Sequence, residues 1–125
     1  MVYPCVVYSK PDNIMEFQYS GKLYLQVNGE RVIGPGRVEL LERIITSGSI
    51  RQAAKEMNMS YRQAWQSIDH LNTHLERPVV IAERGGKGGG KTVVTDLGLH
   101  LIREFKLFHA RFHEFLKENT FQLDQ

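Results

Sequence analysis

The chain predicts an α+β fold that is mainly helical. Three observations predict it. The first is a pair of short helices in succession, Ser49-Ile50-Arg51-Gln52-Ala53-Ala54-Lys55-Glu56-Met57 and Ser60-Tyr61-Arg62-Gln63-Ala64-Trp65-Gln66-Ser67-Ile68, with Asn58-Met59 as the turn between them. The second is a strand–loop–strand ribbon. Val79-Val80-Ile81-Ala82 and Thr92-Val93-Val94 are apolar or β-branched runs, and the basic glycine loop Arg84-Gly85-Gly86-Lys87-Gly88-Gly89-Gly90-Lys91 joins them. The third is a long amphipathic stretch from about Leu97 to Lys117. Together they give a winged helix-turn-helix, with a β-hairpin before it and a long helix after it.

The elements follow in order. Residues 1–20 are treated as an N-terminal extension, in which Val6-Val7-Tyr8 reads as a short strand and Lys10-Pro11-Asp12-Asn13 as a turn. Lys22-Leu23-Tyr24-Leu25-Gln26-Val27 is strand-like, and Arg31-Val32-Ile33 is its return strand. Asn28-Gly29 between them is a strong hairpin signal, because both residues accept positive φ. Gly34-Pro35-Gly36 ends the sheet and opens a helix whose apolar side is Val38, Leu40, Leu41, Ile44 and Ile45. Ser47-Gly48 ends that helix. Ser49 with Gln52, and Ser60 with Gln63, have the spacing of two capping boxes. Thr95 or Asp96 caps the last helix. One domain is expected over 21–118, including a C-terminal helix over 97–118, with 119–125 as a tail.

Composition narrows the function. A 125-residue chain that is 42% apolar can bury one ordinary core. It carries a single cysteine, Cys5, so neither an internal disulfide nor a cysteine-rich zinc site is expected. Cys5 has no basic neighbour that would make it a nucleophile. No apolar run approaches the roughly 18 residues a membrane span needs. The start, Met1-Val2-Tyr3-Pro4-Cys5, lacks the charged opening of a secretory signal, so a cytoplasmic protein is expected. The formal net charge is only +2, but Arg84, Lys87 and Lys91 stand together without an acid between them. Such a local cluster can bind a polyanion at low net charge.

The second short helix has two sides. Tyr61, Ala64, Trp65, Ile68, Leu71 and Leu75 form an apolar face expected to pack on Ile50, Ala53, Ala54 and Met57. Arg62, Gln63, Gln66, Ser67, Asp69 and His70 form a polar face that starts in the first turn. In helix-turn-helix proteins that end of the helix enters the DNA major groove. Arg62 can pair with guanine, and Gln63 and Gln66 can read adenine. The hydroxyls of Ser60 and Tyr61 can reach phosphates. The expected partner is double-stranded DNA, and the candidate contacts are Ser49, Ser60, Tyr61, Arg62, Gln63, Gln66, Ser67, His70, Arg84, Lys87, Lys91 and Thr92.

Gly85 to Thr92 also satisfies the spacing of a nucleotide-binding phosphate loop. That loop must run straight into a helix, whereas Thr92-Val93-Val94-Thr95 is strand-like. A cationic hairpin tip is the expected reading, with no catalytic residues, no cofactor and no enzyme activity. His109 and His113 are four residues apart, but no Glu or Cys completes a metal site, so none is expected. Along the last helix Leu101, Phe105, Phe108, Phe112 and Phe115 are spaced 4, 3, 4, 3. This is a coiled-coil-like seam suited to a homodimer interface. A protein-interaction or dimerisation module without DNA specificity is the alternative reading of the same pattern.

Five segments carry a family resemblance in order: Gly34-Pro35-Gly36-Arg37-Val38-Glu39-Leu40-Leu41, Ser47-Gly48-Ser49-Ile50 with Ala53-Ala54, Met59-Ser60-Tyr61-Arg62-Gln63-Ala64-Trp65, Gly85-Gly86-Lys87-Gly88-Gly89-Gly90, and Val94-Thr95-Asp96-Leu97-Gly98. They resemble the N-terminal DNA-binding domain of ModE-type molybdate-responsive transcriptional regulators, which is related to the LysR-type winged helix-turn-helix. The resemblance covers about residues 21–118. It implies a bacterial cytoplasmic regulator that binds DNA as a homodimer, with the recognition helix over Ser60–Asn72 and the wing over Arg84–Thr92. Full-length members carry C-terminal domains that bind molybdate or tungstate. The expectation here is a regulator lacking that domain, with a separate ligand-sensing subunit as one possible partner and the sensing of any ligand left open.

Overall fold

The computed structural model describes residues 14–83 and 90–124. The expected strand at Val6-Val7-Tyr8, the turn at 10–13, Cys5, and the loop residues Arg84 and Lys87 lie outside the described residues. Ten elements follow one another: β1 (Ile14–Phe17), β2 (Leu25–Val27), β3 (Glu30–Ile33), α1 (Pro35–Ser47), α2 (Ile50–Glu56), α3 (Tyr61–His74), β4 (Val80–Glu83), β5 (Lys91–Val94), α4 (Asp96–Glu118) and β6 (Phe121–Asp124). The strands form three antiparallel pairs, β1 with β6, β2 with β3 and β4 with β5.

Local chemistry explains most boundaries. Asn28 and Gly29 take φ of 50° and 79°, the paired left-handed values of a tight hairpin turn between β2 and β3. α1 begins at Pro35, whose missing N–H costs nothing in a first turn, and it exits through Gly48 at φ 72°. The full capping box stands at the head of α3. Ser60 Oγ accepts from Gln63 N at 3.0 Å, and Gln63 Oε1 accepts from Ser60 N at 3.0 Å. Such a cap stabilises a helix by about 1 kcal/mol.

At α2 only half of the expected box forms. Ser49 Oγ accepts from Gln52 N, but Ser49 N donates to Ser47 Oγ and the Gln52 amide donates to Glu56. The donor that Gln52 would have satisfied is already taken. Thr95, rather than Asp96, caps α4, accepting from Gly98 N at 3.2 Å.

The core lies where α1, α2 and α3 converge under β3 and α4. Leu40, Leu41, Ile44, Ile68 and Leu71 are almost wholly buried, each side chain contributing roughly 1.5–3 kcal/mol by leaving water. Ala53, Ala54 and Ala64 are also buried, and these small residues let α2 and α3 approach closely. Tyr61 and Trp65 depart from the expectation of a core face. They are 40% and 45% exposed, because the buried stripe of α3 is the narrower set Ala64, Ile68 and Leu71.

The base of the wing is clamped from both sides. Asn72 of α3 accepts from Val79 N at 2.8 Å and donates to Val80 O at 3.2 Å. Thr95 N donates to Val79 O at 2.8 Å, and the Thr95 hydroxyl donates to Pro78 O at 2.8 Å. The residues after the glycine run form β5, with Thr92 opposite Ala82 and Lys91 opposite Glu83. A phosphate loop would need a helix at that place.

α4 buries a stripe displaced from the seam read in the sequence. Gly98, Ile102 and Phe105 are buried, and His109, Phe112 and Leu116 are half-buried. Phe105 joins the domain's own core and Leu101 packs against that core. The Phe112 ring lies against Gly21. Of the five seam residues only Phe108 and Phe115 remain well exposed, at 57% and 61%. His109 and His113 meet edge to face with their Nε2 atoms 3.1 Å apart. The segments read as extension and tail meet: β1 pairs with β6 in register from Ile14 opposite Asp124 to Phe17 opposite Phe121. The rings of Phe17 and Phe121 stack at 4.9 Å. Among the described residues no helix is long and apolar enough to cross a membrane.

Candidate nucleic-acid interface

The outward side of α3 is built from its first turns. Arg62 and Gln66 are exposed one turn apart. Among the described residues neither side chain has an internal hydrogen bond or ion pair. The Ser60 hydroxyl serves as the cap and still has its own proton to donate.

Gln63 is less available than its spacing suggests. Its amide oxygen is held by Ser60 N, whereas bidentate reading of adenine needs both the oxygen and the NH2 of the amide. Ser67 is half-buried on the flank of the helix.

His70 faces another way. Its Nδ1 lies 2.7 Å from Arg37 Nη1 and its Nε2 lies 2.9 Å from Glu30 Oε1. Arg37 also donates to Val32 O at 2.8 Å. A guanidinium only donates, so Nδ1 accepts and Nε2–H donates to Glu30. His70 therefore joins α3 to the β2–β3 hairpin and is turned from the side that carries Arg62 and Gln66. The hydrogen bond from His70 lowers the Glu30 carboxyl below its ordinary value. Burial lowers Arg37, with Glu30 opposing. Glu30, His70 and His74 bring three potential ligand atoms within 4.8 Å of one another. Both His70 nitrogens are already engaged, however, and a cation would sit beside the Arg37 charge. The cluster is a polar bridge between hairpin and helix.

The wing and α2 bring further cations to the same region. Thr92 N donates to Gly48 O at 2.9 Å, which sets β5 beside the start of α2. Lys91 and Thr92 thereby stand next to Gly48 and the Ser49 cap. Arg51, in the first turn of α2, lies with its guanidinium 4.3 Å from the centre of the Tyr61 ring. The surface thus runs from Lys91 and Thr92 through Ser49 and Arg51 to Tyr61, Arg62 and Gln66.

Two cations on other surfaces are neutralised. Arg43 pairs with Glu39 and Glu56, and Lys106 pairs with Glu42. Among the described residues no ion pair takes Arg51, Arg62 or Lys91. Sequence reasoning missed Arg51 and Trp65. Arg51 stands two residues after a helix cap, a place where a cation is already close to any bound phosphate, and that signal was legible. For Trp65 no sequence signal separates this ring from a core residue.

Similarity to known proteins bears on this geometry. Residues 36–99 match the family model described as bacterial regulatory helix-turn-helix protein, lysR family. The chain is 42% identical over 88 residues to the molybdenum-pterin-binding protein MopA of Rhodobacter capsulatus, covering 70% of this chain and 33% of that protein. It is 40% identical over 85 residues to the DNA-binding transcriptional dual regulator ModE of Escherichia coli K12, covering 68% of this chain and 32% of that protein. To the molybdenum transport protein ModE of Azotobacter vinelandii it is 29% identical over 108 residues, 86% of this chain and 40% of that protein. The chain thus spans about a third of the length of the curated relatives it matches.

Proposed function

This chain belongs to the lysR family of bacterial regulatory helix-turn-helix proteins, and we propose that it binds double-stranded DNA sequence-specifically as a homodimeric, cytoplasmic transcriptional regulator of the ModE type. The function is one of binding, not catalysis. One observation carries it: the exposed and internally unbonded Arg62 and Gln66 on the first turns of α3 share a surface with the cations Arg51 and Lys91. Arg62 supplies a fork for guanine, and Gln66 an amide for adenine. Ser49, Ser60, Tyr61, Lys91 and Thr92, with Arg84 and Lys87 of the loop, supply phosphate contacts. His70 and the amide oxygen of Gln63 serve the scaffold instead.

Residues 21–118 form the DNA-binding unit in this reading. Phe108 and Phe115, seven residues apart on the outward side of α4, supply the contact with a second copy. A dimer would set two α3 helices about one DNA turn apart, on a palindromic site. The relatives' names connect them with molybdenum, and the genes controlled here are proposed to belong to that response.

Binding to sites selected from random duplexes, titrated against salt, tests the proposal. Arg62→Ala relaxes preference at one base pair by about 1–3 kcal/mol, while Lys87→Ala and Lys91→Ala each weaken all sequences alike and reduce the salt slope by about 1. Variants that all bind as the parent does would defeat the proposal. Tight dimers with no salt-dependent DNA affinity would support an interaction module instead.

A further inference from the structure

Trp65 is the chain's only tryptophan, and its surroundings are unusual for a surface residue. Helical spacing sets it beside Tyr61 and Ile68, yet only Ile68 is buried. The indole stands 45% exposed on the flank of α3, between the buried stripe and the exposed pair Arg62 and Gln66. Its Nε1–H donates to Tyr61 Oη at 2.6 Å. Tyr61 is in turn held by Arg51, whose guanidinium lies 4.3 Å from its ring centre. The indole's single polar group is thus consumed inside the protein, and its orientation is fixed from two helices. What it presents outward is a rigid apolar ring with nothing left to donate.

We propose that Trp65 is a specificity-determining residue that reads the C5-methyl group of a thymine in the major groove, with Tyr61 and Arg51 as its positioning residues. The inference rests on the reading that α3 enters the groove. Of the features that base edges present there, the thymine methyl is the apolar one. A ring whose N–H is spent can recognise no hydrogen-bonding edge, and a ring held at its N–H by a phenol that Arg51 in turn holds loses little freedom on contact. Arg62 and Gln66, next to it around the helix on the side away from the buried stripe, read hydrogen bonds on neighbouring bases. The combination adds recognition of thymine through its methyl group to what the polar side chains read through hydrogen bonds.

The test removes one methyl group. Sites are selected from random duplexes with the parent protein, and each thymine of the selected half-site is replaced in turn by deoxyuridine. At one position the replacement weakens binding about four-fold, the effect of one methyl-sized group leaving contact. Trp65→Ala binds the thymine and deoxyuridine sites equally while retaining the parent's salt slope. Tyr61→Phe, which removes the acceptor for the indole N–H, discriminates less than the parent. Because Trp65 is the sole tryptophan, its fluorescence reports the contact directly. The thymine site changes the emission of the parent more than the deoxyuridine site does. Melting curves of the variants confirm that they are folded.

If Trp65→Ala keeps the full thymine preference, or if no thymine methyl matters to the parent, the inference is overturned and DNA binding stands. Absence of salt-dependent DNA binding by the parent overturns the underlying reading itself.

Discussion

Substituting Gly98 tests how the wing is fastened to the domain. Gly98 lies in the first turn of α4, close against the start of β4. A Cβ built there meets Val94 Cγ1 at 2.5 Å, Val79 Cγ1 at 2.8 Å and the Val79 carbonyl oxygen at 2.8 Å. The valine methyls can rotate, but the carbonyl belongs to backbone. It also accepts hydrogen bonds from Thr95 N and Thr95 Oγ1, so moving it loosens the cap that starts α4. Overpacking of this kind costs about 1–3 kcal/mol, and a weakened hydrogen bond adds about 1 kcal/mol. Against this, replacing a helical glycine by alanine gains about 0.5–1 kcal/mol. The net expectation for Gly98→Ala is a loss of about 2 kcal/mol, a fall in Tm of roughly 10 °C for a domain of this size. Gly36→Ala is the control. It lies in the first turn of α1, where a Cβ meets nothing within 4 Å, and it should raise stability by up to about 1 kcal/mol. Thermal and urea unfolding of both variants, followed by circular dichroism, measures the difference. Gly98→Ala melting at or above the parent would refute the argument that the wing base is packed without slack.

Two further outcomes follow from the same geometry. Asn72→Ala removes both hydrogen bonds from α3 to β4 and leaves the N–H of buried Val79 without that partner; unfolding in urea should show a loss of about 1–3 kcal/mol, with faster amide exchange at Val79 and Val80. The Glu30 carboxyl is held below its ordinary value of 4.5 by the His70 hydrogen bond, so it contributes stability above that value and loses it as pH falls through the lowered one. Melting curves from pH 7 to 3 should show Glu30→Gln less stable than the parent at neutral pH and the gap closing in acid; a gap constant across that range would contradict the bridge.

The features legible in the sequence were those decided by neighbours along the chain. Asn28-Gly29 could make one kind of turn, Ser60 and Gln63 could cap each other, and Gly48 could end α1, because each needs only residues within a turn. Competition and distance hid the rest. Ser49 and Gln52 have the spacing of a capping box, yet Ser47 and Glu56 offer the same groups other partners. His70 looked like one more polar residue on α3 until Glu30, forty residues earlier, reached it. The pairing of β1 with β6 joins segments at opposite ends of the sequence, which no local pattern encodes. On α4 the spacing 4, 3, 4, 3 describes two stripes that share Phe105 and Phe112. The stripe that packs inward continues through Ile102 and His109, and the other through Phe108 and Phe115. Only the partner surface decides between them.

The division of labour on α3 follows from the same competition. The helix is fixed by Ser60 with Gln63 at its start, by His70 on the hairpin side and by Asn72 on the wing side. Each of these polar groups is engaged by the protein itself. Arg62 and Gln66, between those anchors and facing outward, are left unengaged among the described residues, as is the carboxylate Asp69. A side chain that reads DNA must keep its hydrogen-bonding capacity until the base arrives, and its backbone must not move when it does. The anchors supply the second condition and, by drawing their bonds from elsewhere in the fold, leave the first intact. Trp65 meets both conditions in the apolar sense, with its N–H bound and its ring exposed. The polar face of α3 is therefore two populations of residues, one spent on holding the helix and one kept in reserve, which helical spacing alone cannot tell apart.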